Sequence, residues 1–135
     1  MGQYLLDSSA FIRAQEGPTA VRQEAREVIE DRRNAIYVSL AALWEMAVKA
    51  ANGKLPFYSK LTANGSASLM AYLDEQNFKL LDIELDHALA ASRLPQLHRD
   101  PFDRLMIAQA LLSDLTVITN DRIFTQYAGV RVLAA

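Results

Sequence analysis

The sequence predicts an α/β fold, a mostly parallel central sheet with helices on both faces. Short β-rich apolar runs alternate with segments of helical periodicity along the chain, the pattern that stacks helices on a parallel sheet. The run Leu115–Thr119 is unbroken by charge, as befits a strand covered on both faces. With 51% apolar and 22% charged residues, the composition is that of a globular core and not of a disordered tail or fibrous repeat.

Gln3–Asp7 is a short apolar run ending in a carboxylate, a first strand that hands the chain to a helix start at Ser8-Ser9 and an apolar turn through Ile12. Gly17-Pro18 breaks the next segment. Val21, Ala25, Val28 and Ile29 then recur at helical spacing, an amphipathic helix to about Arg33. Ala35–Ser39 reads as the second strand. Leu40–Asn52 is helical and apolar almost all round, stopped by Gly53, which predicts burial on several sides. Lys54–Asn64 carries Pro56, with Gly65 just beyond, and reads as the least structured part. A weaker helix over Ala67–Gln76 precedes a third strand near Phe78–Ile83, and a small helix over Leu85–Leu94 is stopped by Pro95. Pro101–Ser113 is the strongest helix, with Phe102, Leu105, Ala108 and Leu112 on one face. After the strand Leu115–Thr119 come one or two helical turns over Asp121–Tyr127 and a last edge strand, Val130–Leu133.

At 135 residues the chain fits a single domain, residues 1–135, large enough to bury a proper core. The absence of Cys excludes a disulfide scaffold, a thiolate metal site and a Cys nucleophile. No apolar stretch reaches the roughly 18 residues of a membrane span, and no signal-peptide pattern opens the chain. Met1-Gly2 begins like a myristoylation site, but Leu6 stands where Ser or Thr is required. These features predict a soluble cytoplasmic domain with no membrane partner. A net charge of −2 gives no bulk attraction to nucleic acid, so any such function must come from local features.

Four acids stand out by position. Asp7 ends the first strand, Asp121 closely follows the strand Leu115–Thr119, Asp103 opens the strongest helix, and Glu45 is one of two charges in an otherwise apolar helix. In open α/β sheets, ligands bind beyond the carboxyl ends of the strands, where Asp7 and Asp121 are delivered. Gathered carboxylates raise one another's pKa, a cost that a hard divalent cation removes, and oxygen-only ligands suit Mg²⁺ or Mn²⁺. Each acid also has a structural reading. Asp7 can cap a helix; Asp100-Pro101-Phe102-Asp103 is good helix-start chemistry; Asp121 can cap the turn after it; Glu45 can pair with Lys49. The apolar company of Glu45 requires a metal or a cation for it to face.

Four segments occur in order: Leu5-Leu6-Asp7-Ser8-Ser9; Leu43-Trp44-Glu45-Met46-Ala47-Val48-Lys49; His98-Arg99-Asp100-Pro101-Phe102-Asp103-Arg104 with Ile107-Ala108-Gln109-Ala110; and Thr119-Asn120-Asp121-Arg122-Ile123-Phe124. Together they resemble the PIN-domain ribonucleases, specifically the VapC-type toxins of bacterial type II toxin–antitoxin pairs, over nearly the whole chain. The resemblance implies a PIN-like three-layer sandwich. It implies that Asp7, Glu45, Asp103 and Asp121 form an acidic quartet that holds Mg²⁺, for which Mn²⁺ substitutes, and activates water to cut structured RNA. The products would carry a 5′-phosphate and a 3′-hydroxyl. It also implies a cognate antitoxin lying across the site, and a homodimer. Thr119 matches the small hydroxyl residue beside the last acid, and Ser8 keeps the hydroxyl after the first. The sequence departs from the subfamily at Ser9, where a His often follows.

Ser8, Thr119, Arg99 and Arg104 are the candidate substrate contacts, with Arg13, Lys49 and Lys54 as a positive rim or a solvated face. His87 reads as an ordinary partly exposed residue; His98 can touch a phosphate or serve as a solvated or capping group. Two histidines without Cys at close spacing make a poor zinc site. Trp44 is expected in the core or at a dimer contact, and Trp44, Phe57 and Tyr58 are candidate antitoxin anchors. Rivals of the same fold class fail on residues. A phosphorylated receiver domain needs paired acids after its first strand, and a haloacid-dehalogenase-type phosphatase needs an Asp where Ser9 stands. The alternative of another class is a catalytically silent PIN-like binding or assembly module.

Overall fold

Residues Met1–Ala135 are all described by the computed structural model. Leu5 and Leu6, consecutive in strand β1 (Gln3–Leu6), are both fully buried, so this strand is covered on its two faces. It lies at the centre of a five-stranded sheet of order β3-β2-β1-β4-β5, with β2 at Ala35–Ser39, β3 at Phe78–Leu81, β4 at Thr116–Thr119 and β5 at Arg131–Ala134. All four pairings are parallel, so even the edge strands follow the common direction. Leu6 aligns with Val38 on one side and Ile118 on the other. The chain winds outward from β1 through β2 to β3, then returns to place β4 on the opposite side of β1. The order therefore reverses between β1 and β4, and the ends of these two strands flank the sheet's switch point.

The helices are α1 (Ser8–Gln15), α2 (Gln23–Glu30), α3 (Leu40–Ala51), α4 (Pro56–Leu61), α5 (Ser66–Glu75), α6 (Leu85–Arg93) and α7 (Pro101–Ser113), with a 3₁₀ segment, η1, at Arg122–Gln126. They complete a three-layer sandwich about the sheet. The expected order of elements holds, with boundaries displaced. Asp7 is the N-cap of α1 rather than the last strand residue, β3 stops before Asp82, and β5 begins one residue late.

Three expectations are corrected. Lys54–Asn64 is not the least structured segment, because Pro56 occupies the first turn of α4 and starts a helix there instead of breaking one. Tyr58 anchors that helix: its ring is buried and its hydroxyl donates to the Leu43 carbonyl at 2.7 Å. The buried side of α7 holds Asp103, Met106, Ile107, Ala108, Gln109 and Ala110; of the apolar face expected for this helix, Ala108 is buried and Phe102 and Leu105 pack against the core, but Leu112 is exposed. Helix α3 is buried along Ala41, Ala42, Leu43, Glu45 and Met46 but leaves Leu40, Trp44 and Val48 exposed at helical spacing. Trp44, 57% exposed, is not a core residue; its indole stands edge-on to Phe102 at 5.2 Å between ring centroids.

Candidate active site

Asp7 leaves β1 at the switch point. Its backbone N–H donates to the Ile118 carbonyl at 3.2 Å, continuing the β1–β4 pairing one residue beyond the strand. One carboxylate oxygen, Oδ1, accepts from the Ala10 N–H at 2.8 Å and from the Ser9 hydroxyl at 2.9 Å. The other accepts from the Thr119 hydroxyl. Asp7 therefore caps α1, as its structural reading expects, and lines the groove at the sheet edge at once. Burial pushes its carboxyl up, hydrogen bonds from Thr119, Ala10 and Ser9 pull it down, and the charge on Asp121 adds to the rise.

Glu45 enters from α3, where Ser8 donates a hydroxyl hydrogen bond to its Oε1 at 2.7 Å and Lys49 stands 3.4 Å from its Oε2. The cation required of its apolar surroundings is in part Lys49, one turn further along the helix.

Asp103 sits in the first turn of α7, where the Asp100 side chain accepts from the N–H groups of Phe102 and Asp103 at 2.9 and 3.4 Å. Its Oδ2 lies 2.7 Å from Nε2 of His98, and Asp121 Oδ2 approaches the same nitrogen at 3.8 Å. Burial first, and then the neighbouring Asp100 carboxylate, push Asp103 up to about 7. Asp121 is exposed and caps η1 through the Ile123 N–H at 3.0 Å, while its own N–H donates to the Thr119 hydroxyl at 2.9 Å.

Asp7, Glu45, Asp103 and Asp121 line one open groove together with Ser8, Ser9, Ile12, Arg13, Glu16 and Lys49. Five acids face two bases there, and oxygen donors dominate. The donor set fits a hard divalent cation, which would hold together carboxylates that otherwise oppose one another. Ser8 lies in the groove, and Thr119 lies beneath it, fully engaged with Asp7 and Asp121.

The remaining sequence candidates lie elsewhere. The Arg104 guanidinium donates to the carbonyls of Ala91, Leu94, Pro95 and His98, which ties the end of α6 and its following loop to α7. Arg99 is exposed on that loop, outside the groove lining. Lys54 also lies outside it. His87 is buried, not partly exposed: its Nδ1 accepts from the Glu84 N–H at 2.9 Å and closes the first turn of α6. Gln109, which carried no functional assignment, is fully buried; it accepts from Ser39 at 2.6 Å and donates to the Asp82 carbonyl at 3.2 Å, fastening α7 to the ends of β2 and β3. Its polar side chain amid Met106, Ile107, Ala108 and Ala110 was the available signal, the same one that singled out Glu45.

The fold is thus a parallel α/β sandwich with carboxylates converging at its switch point. The chain belongs to the PIN-domain family, whose profile matches residues 4–130. Among solved structures it is similar to VapBC2 from Rickettsia felis bound to a DNA fragment from their promoter, with a TM-score of 0.70 at 15% identity over 98% of each chain. DNA-bound VapBC from Salmonella typhimurium aligns at TM-score 0.67 and 18% identity, covering 99% of this chain and 98% of that one. A toxin–antitoxin complex from Klebsiella pneumoniae aligns at 0.60 and 24%, covering 96% and 95%. At these identities the likeness is one of fold. No curated protein sequence matches the chain.

Proposed function

We propose that this chain is a metal-dependent endoribonuclease, the toxin of a toxin–antitoxin pair, working in the cytoplasm on structured RNA. The observation that carries the reading is the convergence of Asp7, Glu45, Asp103 and Asp121, from four separated stretches of sequence, on one groove at the switch point. Membership of the PIN family and a fold shared with VapBC complexes support it.

Mg²⁺, or Mn²⁺ in its place, would be held by the quartet and would supply Lewis-acid activation of water and charge neutralisation at the scissile phosphate. The chain's own residues do the positioning. Thr119 and the Ala10 N–H fix both oxygens of Asp7, Ser8 orients Glu45, and the first turn of α7 aims Asp103 into the groove. Lys49 and Arg13 at the groove wall can meet the flanking phosphates of an RNA strand. Single-stranded loops suit an open groove, because their bases can be splayed aside. The exposed stripe of Leu40, Trp44 and Val48 supports pairing with a second copy or with the antitoxin; Tyr58, being buried, is removed from the anchors.

The test is cleavage of an end-labelled RNA stem-loop by the purified chain with Mg²⁺, with Mn²⁺ and with EDTA. Metal-dependent cuts leaving 5′-phosphate ends, abolished in Asp7→Asn, are expected. A chain that binds RNA or a partner yet cleaves nothing with either ion would be the silent assembly module instead. Co-expression with the adjacent reading frame tests the toxin reading separately: the two products should co-purify, and the complex should cut more slowly than the freed chain.

A further inference from the structure

We infer that His98 is a nitrogen ligand of the cation in this groove and shifts its preference from Mg²⁺ toward Mn²⁺ and Co²⁺, an inference that rests on the nuclease reading above. The donor atoms of His98, Asp103 and Asp121 all lie within 4.8 Å of one another. Ligands about 2.1 Å from a common ion stand roughly 3 to 4.2 Å apart, so shifts of well under ~1 Å convert this trio into a coordination face. The nitrogen already points the right way: Nε2 faces both carboxylates, at 2.7 Å from Asp103 Oδ2 and 3.8 Å from Asp121 Oδ2.

The backbone that carries the imidazole is held from outside the carboxylate cluster. Arg104 donates to the His98 carbonyl at 3.3 Å and to that of Pro95 at 3.0 Å, and the Tyr127 hydroxyl reaches the same Pro95 carbonyl at 3.1 Å. A loop anchored in this way lowers the ordering cost when its side chain binds an ion. Chemistry then sets the selectivity. Mg²⁺ keeps oxygen ligands and several waters, whereas imidazole suits the transition ions, whose affinity rises from Mn²⁺ through Co²⁺.

Pulsed electron paramagnetic resonance of Mn²⁺ bound to the full chain tests this without RNA. Wild type should show ¹⁴N hyperfine coupling that becomes ¹⁵N coupling when only histidine is ¹⁵N-labelled. His98→Gln should lose the coupling, with Mn²⁺ and Co²⁺ affinity falling about tenfold or more and Mg²⁺ affinity within about threefold of wild type. A purely structural imidazole, merely holding Asp103 by a hydrogen bond, would give no coupling in wild type, and the amide of Gln would replace it. Mn²⁺ bound without nitrogen coupling overturns the inference and leaves the nuclease reading standing. A wild-type chain that binds neither Mg²⁺ nor Mn²⁺ overturns both. Should His98→Gln fail to fold, the labelled wild type alone decides.

Discussion

The Thr119 hydroxyl donates to the Asp7 carboxylate, 112 residues away in the chain, and accepts from the Asp121 N–H at 2.9 Å. One side chain thus joins the ends of β1 and β4 and sets two of the four acids. Thr119→Val keeps the shape and removes both bonds. It should destabilise the fold by about 1–3 kcal/mol, the cost of leaving buried polar groups unpaired, and slow RNA cleavage at least tenfold. Thr119→Ser should restore most of both. Denaturant unfolding and cleavage assays on the two variants check this; a fully active Thr119→Val would confine Thr119 to a packing role.

Asp7→Asn preserves the cap, since its amide carbonyl still accepts from the Ala10 N–H. Cleavage should fall by about a hundredfold or more, because only the charge is lost. The metal-free variant should melt within about 1 kcal/mol of wild type or above it, since burial already disfavours the ionised carboxyl. Parallel melts in EDTA and in Mn²⁺ separate the two effects: Mn²⁺ should stabilise wild type and leave the variant nearly unmoved.

Asp103 gives the metal-free protein a definite pH response. Its folded carboxyl, at about 7, holds a proton that the unfolded chain releases near its ordinary value of 3.8. The stabilisation from that proton is complete below the unfolded value and is lost as pH rises through about 7. Stability in EDTA should therefore drop by on the order of 2 kcal/mol between pH 5 and pH 8. Asp31, held down to about 2 by Arg33, acts in the opposite sense but below this window. With Mn²⁺ present the trend should invert, because ligands must be deprotonated to bind. Melting curves across this range, with and without the ion, test both halves.

Tyr58→Phe removes the hydroxyl that reaches the Leu43 carbonyl from α4. The expected loss is about 1 kcal/mol, with cleavage unchanged because this bond lies outside the groove. An altered metal affinity would show instead that α4 sets the position of Glu45 through α3.

The alternation of strands and helices was legible because period-2 and period-3.6 patterns are properties of local sequence. Helix α4 was not, because Pro56 carries the same letter whether it ends a helix or begins one, and only the contact of Tyr58 with Leu43 distinguishes them. The acids could be picked out one by one, Glu45 by its apolar neighbours and Asp7 by its strand end. Their meeting in one groove depends on the strand order, which local pattern does not encode. Arg104 shows the reverse case. A basic residue beside acids reads as a phosphate contact, yet four backbone carbonyls at the end of α6 and in its loop claim the guanidinium first.

The dependence of Asp7 on Ile118 and Thr119 also orders events in time. A growing polypeptide that has released β1, β2 and β3 from the ribosome already displays Asp7 and Glu45, but the wall that orients Asp7 has not been made. Strand β4 must emerge and slide in beside β1 before the cluster closes. On the reading proposed above, a chain whose β4 has not yet joined β1 cannot orient Asp7, so an inhibitor has only the folded chain to control.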